Sequence, residues 1–164
     1  MNDLKPQGRN DGHIFDFSEI TDQIYIGSDL CRAGVCLIHG EEFKKLGVSV
    51  ELNLSHEENE LPPKDIETYL WLPVVDGYAP TPNQLDIGTS TMHEAVKNAK
   101  KVYIHCKNGH GRSPTMVAAY LIRYEGLNLE EAIKLIKEKR NEVHIEEGQR
   151  TALEEFKKNI KIVG

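Results

Sequence analysis

The stretch Val102-Tyr103-Ile104-His105-Cys106-Lys107-Asn108-Gly109-His110-Gly111-Arg112-Ser113-Pro114 decides the fold. Val102–His105 is an apolar run too short for a helix, which reads as a buried central strand. From Pro114 to Tyr124 the chain is strongly apolar and closes on Gly126, which predicts a helix. Pro114 falls in its first turn, where a missing N–H costs least. A glycine-bearing loop joins the two. Strand, loop and helix in that order form the unit of α/β folds, whose ligands sit outside the carboxyl ends of strands.

Working outward, the same alternation continues on both sides. Gln23-Ile24-Tyr25-Ile26-Gly27 predicts a first strand, Glu41–Leu46 a short helix stopped by Gly47, and Val48–Leu54 a second strand. Leu61–Lys64 is a proline-bearing loop, Thr68–Leu72 a third strand, and a loop with Asp76 and Gly77 follows. Thr81-Pro82-Asn83-Gln84 joins an N-cap, a proline at the first helical position and a glutamine at the box position, opening a helix to about Lys100. Asn128 caps another helix, with Glu131 in the box and Ala132, Leu135 and Ile136 on its buried face. A last helix spans about Glu146–Ile160. The expected fold is an α/β three-layer sandwich with a mainly parallel central sheet and a helical C-terminal part. Residues 1–13 read as a flexible arm and 14–164 as one domain.

The loop after Val102–His105 carries the chemistry. A thiol becomes a good nucleophile when a helix N-terminus and nearby cations lower its pKa from about 8.5, and Cys106 has both. The amides from Lys107 to Arg112 can curl into a nest for an anion beside a helix N-terminus, and Gly109 and Gly111 permit the positive φ that such a curl needs. Arg112 offers a planar fork for two phosphate oxygens, which an ammonium cannot reproduce. Alone, a cysteine at a strand end is a small buried hydrophobe and Gly-His-Gly a turn. A His-Cys pair, two glycines, an arginine and a serine together, between a strand and a helix, point to catalysis.

Cys106, five residues, Arg112 and then Ser113 resemble the signature of the dual-specificity branch of the protein tyrosine phosphatases. The resemblance runs from Ile24-Tyr25-Ile26-Gly27 through the last helix. It implies a protein tyrosine phosphatase-like fold and hydrolysis of phosphate monoesters through a phosphocysteine at Cys106. Arg112 and the loop Lys107, Asn108, Gly109, His110 and Gly111 would bind the phosphate, and Ser113 would help the thiolate leave. The family's general acid is an aspartate on a loop about thirty residues before the cysteine; Asp76 stands at that separation, with Asp86 in reserve. By the same resemblance Asn53 braces the phosphate loop and Gln149 matches a glutamine before the last helix. His105 is read as orienting the loop by hydrogen bonding. Lys107 and His110 are placed to meet a second anionic group.

Composition bounds the rest. Apolar residues are 39% of 164 and charged residues 28%, as in ordinary globular chains. At net charge −6 a broad nucleic-acid surface is excluded, yet Ala95–Tyr124 holds no Asp or Glu and six cations, which suits an anionic ligand. No apolar run reaches the ~18–20 residues of a membrane span and the start of the chain is polar. An odd number of cysteines argues for a reducing compartment. A cytoplasmic monomer is expected, without metal or cofactor. Cys31 and Cys36 lack the paired histidines of a zinc site and read as structural, with a role as resolving thiols for an oxidised Cys106 left open as the alternative. The leading substrate class is phosphotyrosine with phosphoserine or phosphothreonine. The alternative is a phospholipid or inositol phosphate, because His-Cys-Lys with Arg-Ser and Met116–Ile122 resemble the phosphatidylglycerophosphate phosphatases. A sulfur transferase or arsenate reductase leaves Ser113 and Asp76 unexplained, and an inert phosphate-binding module leaves the complete catalytic set unexplained.

Overall fold

The computed structural model describes residues 17–28, 31–32, 35–36, 45–59, 62, 65–107 and 109–163. The arm at 1–13, most of the helix expected at 41–46, most of the 61–64 loop and Asn108 lie outside these. So do the side chains of Cys31 and Cys36, and with them any redox role.

Strands β1 (Phe17–Glu19), β2 (Ile24–Gly27), β5 (Val48–Ser55), β6 (Thr68–Val74) and β7 (Lys101–His105) form one sheet in the order β1-β2-β7-β5-β6. Only the β1–β2 pair is antiparallel; β7 lies in the middle, parallel to β2 and β5. Between β2 and β5, β3 (Cys31–Arg32) and β4 (Val35–Cys36) make a separate pair, with Cys31 opposite Cys36 along the backbone. The helices that lie wholly within the described residues are α1 (Pro82–Lys97), α2 (Arg112–Tyr124), α3 (Leu129–Lys139) and α4 (Glu147–Val163). The chain is therefore an α/β sandwich about a mostly parallel sheet, with a helical C-terminal part.

Alternation along the strands explains how the sheet is covered. Ile24, Ile26, Leu52, Leu54, Val102 and Ile104 join Leu85 and Met92 of α1, Ile133 and Ile136 of α3 and Leu153 of α4 in the main core. Helix α2 crosses that core buried from Arg112 through Ile122. Its Met116, Val117 and Leu121 each contribute on the order of 1.5–3 kcal/mol by leaving water. On the other face Tyr25, Val48 and Tyr103 form a smaller cluster with Phe17, Leu46 and Ile66. Val48 belongs there because the β5–β7 register shifts between Val48 and Val50, and a one-residue slip changes the face.

The two capping boxes form as expected. Thr81 Oγ1 accepts from Gln84 N–H at 3.1 Å and Gln84 Oε1 from Thr81 N–H at 2.9 Å; Asn128 and Glu131 repeat the exchange. Elsewhere the boundaries move for local reasons. Strand β6 runs through Pro73 to Val74, since an edge strand tolerates a residue without N–H. Helix α1 ends early, at Lys97, where Ala99 takes a left-handed φ of 60° and Lys100 N–H bonds Ala95 C=O at 2.9 Å. That is a Schellman closure without its usual glycine. Strand β1 has too few residues to show a period.

Candidate active site

Strand β7 delivers Cys106 at its carboxyl end, and α2 begins at Arg112 with Gly111 as N-cap. Between them Gly109 has φ +72°, and its N–H donates to Cys106 Sγ at 3.2 Å. A Cβ on Gly109 would stand 2.5 Å from Gly27 C=O at the end of β2, so the position requires glycine for space as well as for φ. Gly111 departs from expectation, with an ordinary φ of −134°. What it supplies is room: a Cβ there would meet Gln149 Nε2 at 3.3 Å and His144 C=O at 3.4 Å.

Two groups outside the loop hold its carbonyls. Buried Arg140 donates from Nε to Gly109 C=O at 2.9 Å and from Nη1 to Ser18 Oγ at 3.2 Å. His144 N–H donates to His110 C=O at 2.8 Å. Across a trans peptide the C=O and the next N–H point opposite ways, so the N–H groups of His110 and Gly111 are aimed away from those holders. That orientation suits the anion nest expected from the glycines.

Cys106 is 2% exposed. Burial alone would push its thiol up, but the Arg112 guanidinium, the Ser113 hydroxyl and the N–H groups of Ser113 and Gly109 outweigh it and hold the thiol below its ordinary value. Ser113 is itself fully buried, and no group other than the Cys106 sulfur engages its hydroxyl, which leaves it for a sulfur carrying charge.

Arg112, 1% exposed, is held by three hydrogen bonds. Nη1 donates to Glu57 Oε1 at 2.7 Å and to Val74 C=O at 2.8 Å, and Nη2 to Glu57 Oε2 at 3.0 Å. Burial raises the Glu57 carboxyl, but Arg112, the Ser55 hydroxyl and Lys107 outweigh that and keep it below its ordinary value. A guanidinium has five N–H donors, so Nε–H and one Nη2–H remain on one edge, and Nε has no hydrogen-bond partner. Asp76 Oδ1 lies 3.6 Å from that Nε. Asp76 is 76% exposed at its side chain, on a turn closed by Tyr78 N–H to Val75 C=O at 3.0 Å with Gly77 at φ +85°. The reserve candidate, Asp86, is paired with Arg123 at 2.7 Å on α1.

The remaining expected residues fall in different places. Asn53 sends its amide to the loop bearing Glu57 instead of the phosphate loop: Nδ2 donates to Glu58 C=O at 2.8 Å and Tyr69 Oη at 3.0 Å, and Oδ1 accepts from Ser55 N–H at 2.8 Å. It braces the loop that carries Glu57, since β5 ends beside that loop. His105 Nε2 meets Glu51 Oε1 at 2.7 Å, both buried, fixing the ring behind the nucleophile. Gln149 bridges Glu146 N–H and Tyr78 C=O. Lys107 is half-buried and close enough to Glu57 to lower its carboxyl, and His110 is half-buried. Glu57 and Arg140 contact Arg112 and the Cys106 loop, respectively, and the sequence does not single out either. Glu57 sits in the acidic run His56-Glu57-Glu58-Asn59-Glu60, which reads as solvated loop, and no spacing ties it to Arg112. Among the described residues no group of three His, Cys, Asp or Glu could hold a metal ion, and no helix is long and apolar enough to cross a membrane.

The chain is similar to known proteins. The family profile "Dual specificity phosphatase, catalytic domain" matches residues 31–159. The human "Phosphatidylglycerophosphatase and protein-tyrosine phosphatase 1" is 42% identical over 81 residues, 49% of this chain and 40% of that protein. The Arabidopsis thaliana "Phosphatidylglycerophosphate phosphatase PTPMT2" is 30% identical over 119 residues, 69% of this chain and 52% of that protein. The chain thus spans about half or less of the length of these curated relatives. The crystal structure of PTPMT1 in complex with PI(5)P superposes with a TM-score of 0.76 at 28% identity, covering 90% of this chain and 97% of that one.

Proposed function

The chain belongs to the dual-specificity phosphatase catalytic-domain family, within the cysteine-dependent tyrosine phosphatase superfamily, and from that membership we propose that it hydrolyses the phosphate monoester of a phospholipid headgroup through a phosphocysteine at Cys106. One observation carries the reaction. Glu57 and Val74 occupy three donors of Arg112 and leave a planar edge, Nε–H with Nη2–H, beside a thiol held below its ordinary value. Two equatorial oxygens of a phosphoryl group fit that edge bidentately, and charge developing on them is met by donors already in place.

In the first step Cys106 Sγ attacks phosphorus, the bond from phosphorus to the ester oxygen breaks, and Asp76 gives that oxygen a proton. In the second step water attacks phosphorus, Asp76 takes its proton, and the sulfur–phosphorus bond breaks to return the thiolate, which the Ser113 hydroxyl stabilises. An alkoxide leaving group needs that proton, and general acid help is worth about 10²–10⁴-fold.

The substrate class rests on similarity. The sequence alone favours phosphoproteins over phospholipids; the relatives named for phosphatidylglycerophosphate and the complex with PI(5)P favour the reverse order. The second reading, a phosphoprotein, draws on the family's description and the second half of the human relative's name. Val75, 51% exposed, and Tyr78, 69% exposed, flank Asp76, so the mouth is open enough for either. Phosphate release would be compared on phosphatidylglycerophosphate in detergent micelles, PI(5)P and phosphotyrosine and phosphothreonine peptides, without added metal. A kcat/KM at least roughly tenfold higher on a lipid, a difference of about 1.4 kcal/mol in transition-state binding, supports the first reading. Preference for a peptide transfers the assignment to the second, and turnover surviving in Cys106→Ser removes both.

A further inference from the structure

Gln149 is fully buried in the first turn of α4. Glu146 C=O accepts the first helical bond, from Arg150 N–H at 2.9 Å, which makes Glu146 the N-cap and Gln149 the third helical residue. Gln149 Oε1 accepts from Glu146 N–H at 2.9 Å, the reach-back half of a capping box. That alone explains a glutamine as a helix-starting residue. The other half of the amide does something a cap does not require. Nε2 donates at 3.0 Å to the backbone carbonyl of Tyr78, far away in sequence. The orientation is forced, because a backbone N–H only donates and a backbone C=O only accepts.

Tyr78 closes the turn that carries Asp76. The strand entering that turn is pinned twice, by Gln84 Nε2 to Pro73 C=O at 3.0 Å and by Arg112 Nη1 to Val74 C=O at 2.8 Å. From Val75 to Tyr78 every residue is exposed, so packing does not hold the turn itself. Its exit is tied by Gln149. The same amide lies against the phosphate loop, where Gly111 has no Cβ to displace it. One buried side chain therefore touches both the loop that holds phosphate and the turn that holds the acid.

We propose that Gln149 is a positioning residue for the general acid, fixing Asp76 relative to the phosphate loop through the Tyr78 carbonyl. This rests on the reading of Asp76 as the acid. A proton donor displaced by about 1 Å loses on the order of 10² in rate, and the loss falls on esters whose oxygen needs the proton.

The test uses Gln149→Met, which removes both bonds, and Gln149→Glu, which keeps an acceptor for Glu146 N–H and so preserves the helix start. kcat and KM are measured on a simple alkyl phosphate and on an activated nitrophenyl phosphate, with Asp76→Asn as reference. Both Gln149 variants should lose about tenfold or more in kcat on the alkyl ester and little on the nitrophenyl ester, with KM held. The pH profile of Cys106 alkylation should stay that of the parent protein, and Asp76→Asn combined with Gln149→Glu should lose no more than Asp76→Asn alone. Equal losses on the two esters, or none in either variant, overturn the proposal while Asp76→Asn retains its leaving-group dependence. An Asp76→Asn enzyme that treats both esters alike overturns the acid assignment and this proposal together.

Discussion

Glu57 grips Arg112 end-on, Oε1 to Nη1 at 2.7 Å and Oε2 to Nη2 at 3.0 Å. The carboxylate is spent on orientation: it fixes the guanidinium with its Nε–Nη2 edge turned away from Glu57. Asn53, Ser55 and Tyr69 in turn hold the Glu57 loop, and Trp71 Nε1 donates to Ser55 C=O at 2.7 Å.

Glu57→Gln should therefore damage catalysis without touching substrate. A glutamine amide offers one acceptor and sets an N–H against Nη2–H, so the fork is lost. kcat/KM should fall by about 10–10²-fold, the scale of a misplaced catalytic group. Stability carries a matching signature. Because the Glu57 carboxyl is held below its ordinary value, its contribution is fully present above the unfolded carboxylate value of about 4.3 and is lost as pH falls through the lower folded value. Thermal melts across acid pH should show a shallower fall for Glu57→Gln than for the parent; parallel curves would detach Glu57 from the folded-state charge balance.

The thiol provides a second test. Alkylation by iodoacetamide follows the thiolate, so its rate should level off at a lower pH than the value of about 8.5 for free cysteine. Arg112→Met deletes the largest downward influence and leaves the burial that pushes the thiol up, so the midpoint should move upward. An unmoved midpoint would show that the helix N-terminus and loop N–H groups suffice without the guanidinium.

Gly109→Ala should be more damaging than its single methyl suggests. Its left-handed φ strains any side chain, and the methyl meets Gly27 C=O at 2.5 Å. Relief requires moving either the end of β2 or the loop that donates to Cys106. Vanadate affinity and kcat should fall together; a variant that binds vanadate normally would show that the loop adjusts without cost.

The parts of this fold legible in the sequence are those set by neighbours along the chain. Thr81 with Gln84, Asn128 with Glu131, and Cys106 through Ser113 each carry their reason within a few residues. Glu57 with Arg112, Arg140 with Gly109 and His105 with Glu51 were not legible, because each joins segments brought together only by sheet order and helix packing. Gly111 shows the limit inside the motif: the sequence points to a positive φ there, whereas the structure has an ordinary φ and uses the glycine for space beside Gln149.

Away from the site, Ala99 offers a stability gain. A left-handed φ costs an L-residue roughly 1–2 kcal/mol, and glycine avoids that at some entropic cost in the unfolded chain. Ala99→Gly should raise stability by about 0.5–1 kcal/mol, a shift of a few degrees in Tm at this chain length, with kcat unchanged. A lower Tm would mean that the Schellman closure at Lys100 tolerates alanine without strain.

The last prediction separates binding from chemistry at Asp76. Its Oδ1 stands 3.6 Å from Arg112 Nε, on the edge assigned to the phosphoryl oxygens. An ionised Asp76 and a phosphate dianion would repel each other there and compete for the same donor. Asp76→Asn removes the charge at nearly constant shape, so vanadate and inorganic phosphate should bind as tightly as to the parent protein or more tightly. The proton is lost with the charge, so kcat on an alkyl ester should fall by about 10²–10⁴-fold. The combination, affinity held or raised while turnover collapses, belongs to a group that acts on the leaving oxygen. A structural aspartate would instead weaken both, because Arg112 would lose part of its alignment. If affinity and kcat fall in proportion, Asp76 supports Arg112, and the proton must come from the substrate or from another residue of the acid turn.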